Sequence, residues 1–159
     1  MEINFRPIGI IHSPFSSLEN MPIQPTSDAS GSGYLEIFPE FIEGINDLEG
    51  FSHIYLLYYF HQAGQSILSV TPFLDKQPHG IFATRAPSRP NPIGLSLVKL
   101  VRVEENRIYL DRLDVLDGTP LLDIKPYIPA FEDTETIRLG WLEKAGPKMR
   151  TTRSDDRFK

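Results

Sequence analysis

The sequence predicts a mainly β domain, and three observations carry the prediction: prolines are dense and scattered, apolar runs are short, and no helical period extends far. The chain holds 14 prolines in 159 residues, about 9% against ~5% in average proteins, and any long helix would be interrupted. Between them lie β-rich runs bounded by turn residues, at Ile8 to Ile11, Gly33 to Phe38, His53 to His61, Gly80 to Thr84, Leu95 to Val103 and Arg107 to Leu110.

Taken in order, the first run gives way to residues 13 to 32, crowded with Ser, Pro and Gly and without a period, which reads as a long surface loop. Loops of that length in compact domains are usually functional or disordered. After the second run, Pro39 to Ile45 is expected as a short helical piece. His53 to His61 is apolar on both of the faces a strand presents, so it is expected to be central and covered on each side. Leu95 to Val103 and Arg107 to Leu110 are joined by Glu104-Glu105-Asn106, a length suited to a hairpin. A second helical piece is expected over Thr136 to Ala145, with Gly146 as its stop and Pro147 directly after. No repeat of 20 to 50 residues is visible.

At 159 residues, 40% hydrophobic and 23% charged, the chain fits one domain, expected over residues 1 to 143, with a basic tail from 144 to 159. Cysteine is absent, which removes disulfide frameworks, zinc-thiolate sites, iron–sulfur clusters and cysteine nucleophiles, and suits a reducing cytosol. The longest wholly apolar run, Ile54 to Phe60, is far below the ~20 residues of a membrane helix. The N-terminus shows no signal-peptide pattern, and a cytoplasmic location is expected. The tail carries Lys144, Lys148, Arg150, Arg153, Arg157 and Lys159 against Asp155 and Asp156, a net of +4 that leaves −9 on the rest of a chain of net −5. An acidic body argues against a wide nonspecific nucleic-acid groove while leaving room for a local basic patch.

The two ends of the His53–His61 run would be about 26 Å apart in a continuous strand, too far to share a metal. His12 and His79 have no local ligand spacing either, so no metal site is expected. Phosphate-loop, dinucleotide, nucleophile-elbow and zincin motifs are all missing. Asp111, Asp114 and Asp117 recur every three residues, the wrong spacing for an EF-hand loop; Asp117-Gly118 suits a turn. The most unusual segment is Gly80-Ile-Phe-Ala-Thr-Arg-Ala-Pro-Ser-Arg-Pro-Asn-Pro-Ile-Gly94, where a strand runs into Arg85 and Arg89 within a loop stiffened by Pro87, Pro90 and Pro92. A guanidinium held in place loses less entropy on gripping a carboxylate or phosphate. The alternative is that both arginines pair with the acidic body and merely pin the loop.

At these residues the sequence resembles the tRNA methyltransferase O family, TsaA-like proteins that transfer a methyl group from S-adenosylmethionine to threonylcarbamoyladenosine beside the anticodon. Four blocks carry the resemblance: Pro7-Ile-Gly-Ile-Ile-His-Ser-Pro-Phe15, Leu48 to His61, Gly80 to Gly94, and Leu113-Asp-Val-Leu-Asp-Gly-Thr-Pro-Leu-Leu-Asp-Ile-Lys-Pro-Tyr-Ile-Pro129. It implies a small single-sheeted β-barrel of about six strands with short helices and long loops, usually a homodimer, with tRNA as substrate and no metal. By position it places donor contacts at Pro22, Ile23 and Gln24, at His61 and Gln62, at Arg85 and Leu95, and along Asp114, Val115, Leu116 and Asp117. Arg89 and Asn91 of the proline-rich loop are then expected to meet substrate. His61, Asp114 or Asp117 is expected to take the acceptor's proton. Two departures stand out: Ile23 stands where the family often has arginine, and this sequence runs to Lys159 without the extra C-terminal domain of longer members. Two other readings stay open: a methyltransferase of a small-molecule acceptor, and a noncatalytic nucleic-acid-binding barrel with Tyr55, Tyr58, Tyr59 or Phe60 as stacking platforms. For those aromatics core packing is the favoured account.

Overall fold

Alternation along the strands is what decides which residues meet, because successive strand side chains point to opposite faces. The computed structural model describes residues 1–19, 21, 30–132, 137–144 and 152. Its strands are β1 (Gly9–His12), β2 (Gly31–Ile37), β3 (His53–Tyr59), β4 (Ser69–Val70), β5 (His79–Gly80), β6 (Ile93–Glu104), β7 (Arg107–Leu113) and β8 (Thr119–Pro126). Six close into a barrel in the order β1-β2-β7-β6-β3-β8, and β4 and β5 pair separately as a two-stranded ribbon. Each pairing in the barrel is antiparallel; the last, β1 on β8, sets Gly9 opposite Leu121 and Ile11 opposite Thr119. The six-stranded barrel and the mainly β class are as expected.

One face of each strand fills the interior: Ile11 from β1, Leu35 and Ile37 from β2, Ile54, Leu56 and Tyr58 from β3, and Val98 and Leu100 from β6. Ile108, Leu110 and Leu113 from β7 and Leu121 from β8 complete the strands' share. Each such aliphatic contributes roughly 1.5–3 kcal/mol of burial free energy. The pairing of β3 with β8 shifts register between Leu57 and Tyr58, a bulge of the kind that bends a strand and re-aims its side chains. That bulge lies at the end of the barrel where the site is built.

The structure corrects the sequence reading in five places. β3 ends at Tyr59, so His61 falls in the following turn, and a barrel wall has only one inside: Tyr55 and Leu57 are half-buried and Tyr59 is 43% exposed. Gly80 to Thr84 is not a strand. Only His79–Gly80 pairs, and Ile81–Ala83 is a 3-10 turn because the Ile81 carbonyl accepts from the Thr84 amide (3.1 Å), the Thr84 hydroxyl (2.9 Å) and the Arg89 guanidinium (3.2 Å). β8 was not anticipated. Its Pro120 and Pro126 argue against a strand, yet both sit at or next to its ends, opposite Ile10 and Ile54. The β6–β7 loop is two residues rather than three, since Glu104 pairs with Arg107, and β7 continues to Leu113. Finally, the expected helix from Thr136 to Ala145 reduces to a 3-10 turn at Gly140–Lys144, with Thr136 and Ala145 outside the described residues. The turn at Pro39–Ile45 is helical as expected, in 3-10 form. Of the expected basic tail, only residues 144 and 152 are described.

The C-terminal turn is fastened to the ribbon. Trp141 stacks on His79 at 4.7 Å between ring centroids and donates from Nε1 to the Ala83 carbonyl at 2.8 Å. His79 in turn meets Asp75 at 2.9 Å. Beneath them Val70, Ile81 and Ala86 form a second small core with Phe73 against it.

Candidate functional site

β3 and β6 lie side by side with Tyr58 opposite Gly94. A Cβ at Gly94 would collide with the Tyr58 ring, so glycine is what lets that ring lie flat across β6. Ser96 is two residues farther along and on the same inward face. Its hydroxyl is 3.0 Å from the Tyr58 hydroxyl and donates to Asp114 Oδ1 at 2.7 Å. Asp114 follows β7 directly, so three strands converge on one polar chain at the barrel's rim, buried at Tyr58 and Ser96 and partly buried at Asp114. Ser96 has a single hydrogen, and because it goes to Asp114, the Tyr58 hydroxyl is the donor to Ser96.

Burial pushes the Asp114 carboxyl up to about 6, against the opposing pull of the Ser96 hydrogen bond, a backbone amide and the Arg85 charge. Burial also pushes the Tyr58 phenol well up, and the Asp114 charge pushes it further. Arg85 is exposed, yet its charge reaches Asp114, Tyr58 and Tyr55. It projects from a loop held by its neighbours: Arg89 Nη1 donates to the carbonyls of Thr84 (2.8 Å), Ile81 (3.2 Å) and Ala86 (3.5 Å), and the Ala86 amide donates to the Thr84 hydroxyl (3.3 Å). The two arginines therefore divide the alternatives posed by the sequence. Arg89 pins the loop, through carbonyls rather than the acidic body, and Arg85 is exposed, with its charge reaching the partly buried Asp114 carboxylate.

His61 and Gln62 are exposed in the turn after β3, which the Phe60 amide ties to the proline-rich loop at the Pro92 carbonyl (2.8 Å). Asn91 is exposed, with its carbonyl accepting from the Ile93 amide (2.8 Å). Leu95 is 46% exposed and points outward opposite Leu57, away from the inward pair Gly94 and Ser96. Val115 and Leu116 are buried, leaving mainly backbone to offer, and their carbonyls already accept from the Ser13 hydroxyl (2.6 Å) and the Thr119 hydroxyl (2.7 Å).

The spaced aspartates go to separate partners. Asp111 accepts from Ser32, Asp114 from Ser96, and Asp117 from the Ser13 amide at 3.0 Å, with His12 Nδ1 at 3.7 Å. Asp117-Gly118 is a turn, with Gly118 at φ 75° and its amide on the Ile11 carbonyl. Pro22, Ile23 and Gln24 lie outside the described residues. Among the described residues no group of three or more His, Asp or Glu side chains gathers as a metal would require, and no helix is long and apolar enough to cross a membrane. Sequence reasoning missed Ser96 and weighed Tyr58 only as core packing, the favoured account, or as a stacking platform. The available signal was the small Gly94 and polar Ser96 on the inward face of β6, otherwise apolar with Val98 and Leu100.

Residues 10–133 match the family described as tRNA-methyltransferase O N-terminal domain. A probable S-adenosyl-L-methionine-binding protein of Pyrococcus abyssi is 53% identical over 156 residues, 98% of this chain and 85% of that protein. A tRNA (adenine(37)-N6)-methyltransferase of Rattus norvegicus is 37% identical over 94% of this chain and 37% of its own length. The crystal structure of TrmO from Pseudomonas aeruginosa superposes with a TM-score of 0.74 at 40% identity, over 89% of this chain and 63% of that one. The chain thus spans under two thirds of that TrmO structure and just over a third of the rat enzyme. With most of its length inside one family match and relatives of this similarity on both counts, the chain belongs to the tRNA-methyltransferase O family.

Proposed function

We propose that this protein is an S-adenosylmethionine-dependent methyltransferase acting on tRNA, with threonylcarbamoyladenosine next to the anticodon as the acceptor. The observation that carries it is the Asp114 carboxylate, held by the Ser96 hydroxyl and within electrostatic reach of the exposed Arg85, at the rim of a barrel of this family. That pair fits the methyl donor, whose amino acid end offers an ammonium to a carboxylate and a carboxylate to a guanidinium. When bound, S-adenosylmethionine supplies an electrophilic methyl group for in-line displacement. The chain's own task is positioning: Arg85 and Asp114 hold charged groups, with His61, Gln62 and the backbone from Val115 to Asp117 available to the ribose and adenine. Of the three residues considered for proton transfer, Asp114 is the one whose carboxyl is pushed up, to about 6, toward the range of a general base. Asp117 is already bonded to the Ser13 amide, and His61 is exposed in its turn.

The reading extends to a cytoplasmic homodimer. Arg89 holds the loop that meets tRNA, Asn91 and Leu95 lie on its exposed flanks, and the basic segment from Lys144 to Lys159 serves as an RNA contact outside the barrel domain. A small-molecule acceptor is the second reading, favoured by the −9 body. A noncatalytic stacking module is disfavoured by Tyr58, which is buried with its hydroxyl on Ser96.

Calorimetric titration of S-adenosylmethionine into the protein tests the class. Saturable binding that Arg85→Ala weakens by roughly tenfold is expected; an intact fold that binds no donor would overturn it. Mass spectrometry of tRNA nucleosides then identifies the acceptor, and the tRNA complex should weaken steeply with salt.

A further inference from the structure

We propose that Ser96, oriented by the Tyr58 hydroxyl, is the positioning residue that fixes the Asp114 carboxylate at the rim, and that Gly94 is glycine to allow that orientation. This rests on the reading of Asp114 as a donor contact. Ser96 is 1% exposed, so its one hydrogen cannot turn to solvent. It has an acceptor in Asp114 Oδ1 and a donor in Tyr58, and both links are short enough to be directional, at 2.7 and 3.0 Å. The chain Tyr58 to Ser96 to Asp114 therefore runs one way while the carboxylate is ionised, and a proton on Asp114 takes away the charge that strengthens its last link. A carboxylate placed by packing alone would have no such preference.

The placement depends on backbone as well as side chain. The phenol reaches Ser96 only because its ring crosses β6 over Gly94, where any side chain would stand in its way. Among the described residues, the groups that face Asp114 are Tyr58 from β3, Ser96 from β6 and Arg85 from the proline-rich loop. Ser96 and Arg85 favour the ionised carboxylate, whereas burial opposes it. Removing the Ser96 hydroxyl thus shifts the balance toward the protonated form, in which Asp114 no longer offers charge to an ammonium.

The test is a carboxyl carbon-13 titration of aspartate-labelled protein without donor, with Asp114→Asn to assign the resonance. Ser96→Ala should raise the Asp114 midpoint by roughly half to one pH unit, Ser96→Thr should restore most of it, and Tyr58→Phe should move it in the same direction by less. Donor affinity measured against pH should follow the same order. An unmoved midpoint in Ser96→Ala with a native amide spectrum would overturn the proposal, as would Ser96→Thr behaving like alanine. If the alanine variant fails to fold, Tyr58→Phe alone decides, an unmoved midpoint again overturning it. A midpoint that moves while donor affinity ignores both pH and Asp114→Asn leaves the positioning role standing and sinks the donor reading instead.

Discussion

The Tyr58 ring occupies the volume that a Cβ on Gly94 would need, so these two cross-strand neighbours fit only because one lacks a side chain. Gly94→Ala is accordingly expected to destabilise the barrel by about 1–3 kcal/mol, as overpacking does. In a Tyr58→Leu background the same change should cost less, because the clash has gone. Urea unfolding of the four proteins of that cycle measures both values; equal costs in the two backgrounds would show that the clash is relieved elsewhere.

Stability and function should pull against each other at Asp114. Its folded value of about 6 lies above the ordinary 3.8, so the folded state holds the proton more tightly than the unfolded chain. Its contribution to stability is full below about pH 4 and is lost as pH rises through 6, a change of up to about 3 kcal/mol. Asp114→Asn should therefore melt higher than the parent at pH 8, with the gap narrowing at pH 4, while donor binding is lost. Melting curves at the two pH values check the sign.

Arg89→Lys should loosen the proline-rich loop without unfolding the barrel, since a lysine cannot reproduce a guanidinium set against three carbonyls. Faster hydrogen exchange is expected at the Thr84 and Ala86 amides, and a few-fold weaker donor binding through Arg85. Unchanged exchange there would show that the three prolines suffice on their own.

Trp141→Ala should open a local unit. The loss of the His79 stack and the Ala83 hydrogen bond is expected to raise exchange across residues 69–83 and leave the barrel strands protected. A uniform rise across the whole molecule would mean that ribbon and barrel unfold together.

Much of the barrel was legible because alternation is a local signal. Leu35 and Ile37, with Glu36 between them, announce their inward face within one strand, whereas Ile54 to Phe60 is apolar on both faces and hides which side of β3 is inward. What was not legible depends on partners distant in the chain. Thr119–Pro126 becomes a strand because β1 and β3 supply ladders on either side of it, a context its two prolines conceal. Ile81–Ala83 turns because Arg89, eight residues on, caps its carbonyl. At the site, Arg85 could be singled out by its stiff proline-rich loop, and Asp114 by the family resemblance. Ser96 could not, since its importance comes from register: it gains meaning only once Gly94 is known to sit opposite Tyr58.

Closure of the six-stranded sheet gives every barrel strand a neighbour on both sides, so none is an edge strand. Among the described residues the β4–β5 ribbon has no third strand on either side. It is two residues deep, and Leu68 and Phe82, beside its strands, are 70% and 76% exposed. Association on heating should start at this ribbon, where sticky side chains adjoin unpaired backbone, and a lysine at Leu68 should delay turbidity more than any change on the barrel wall.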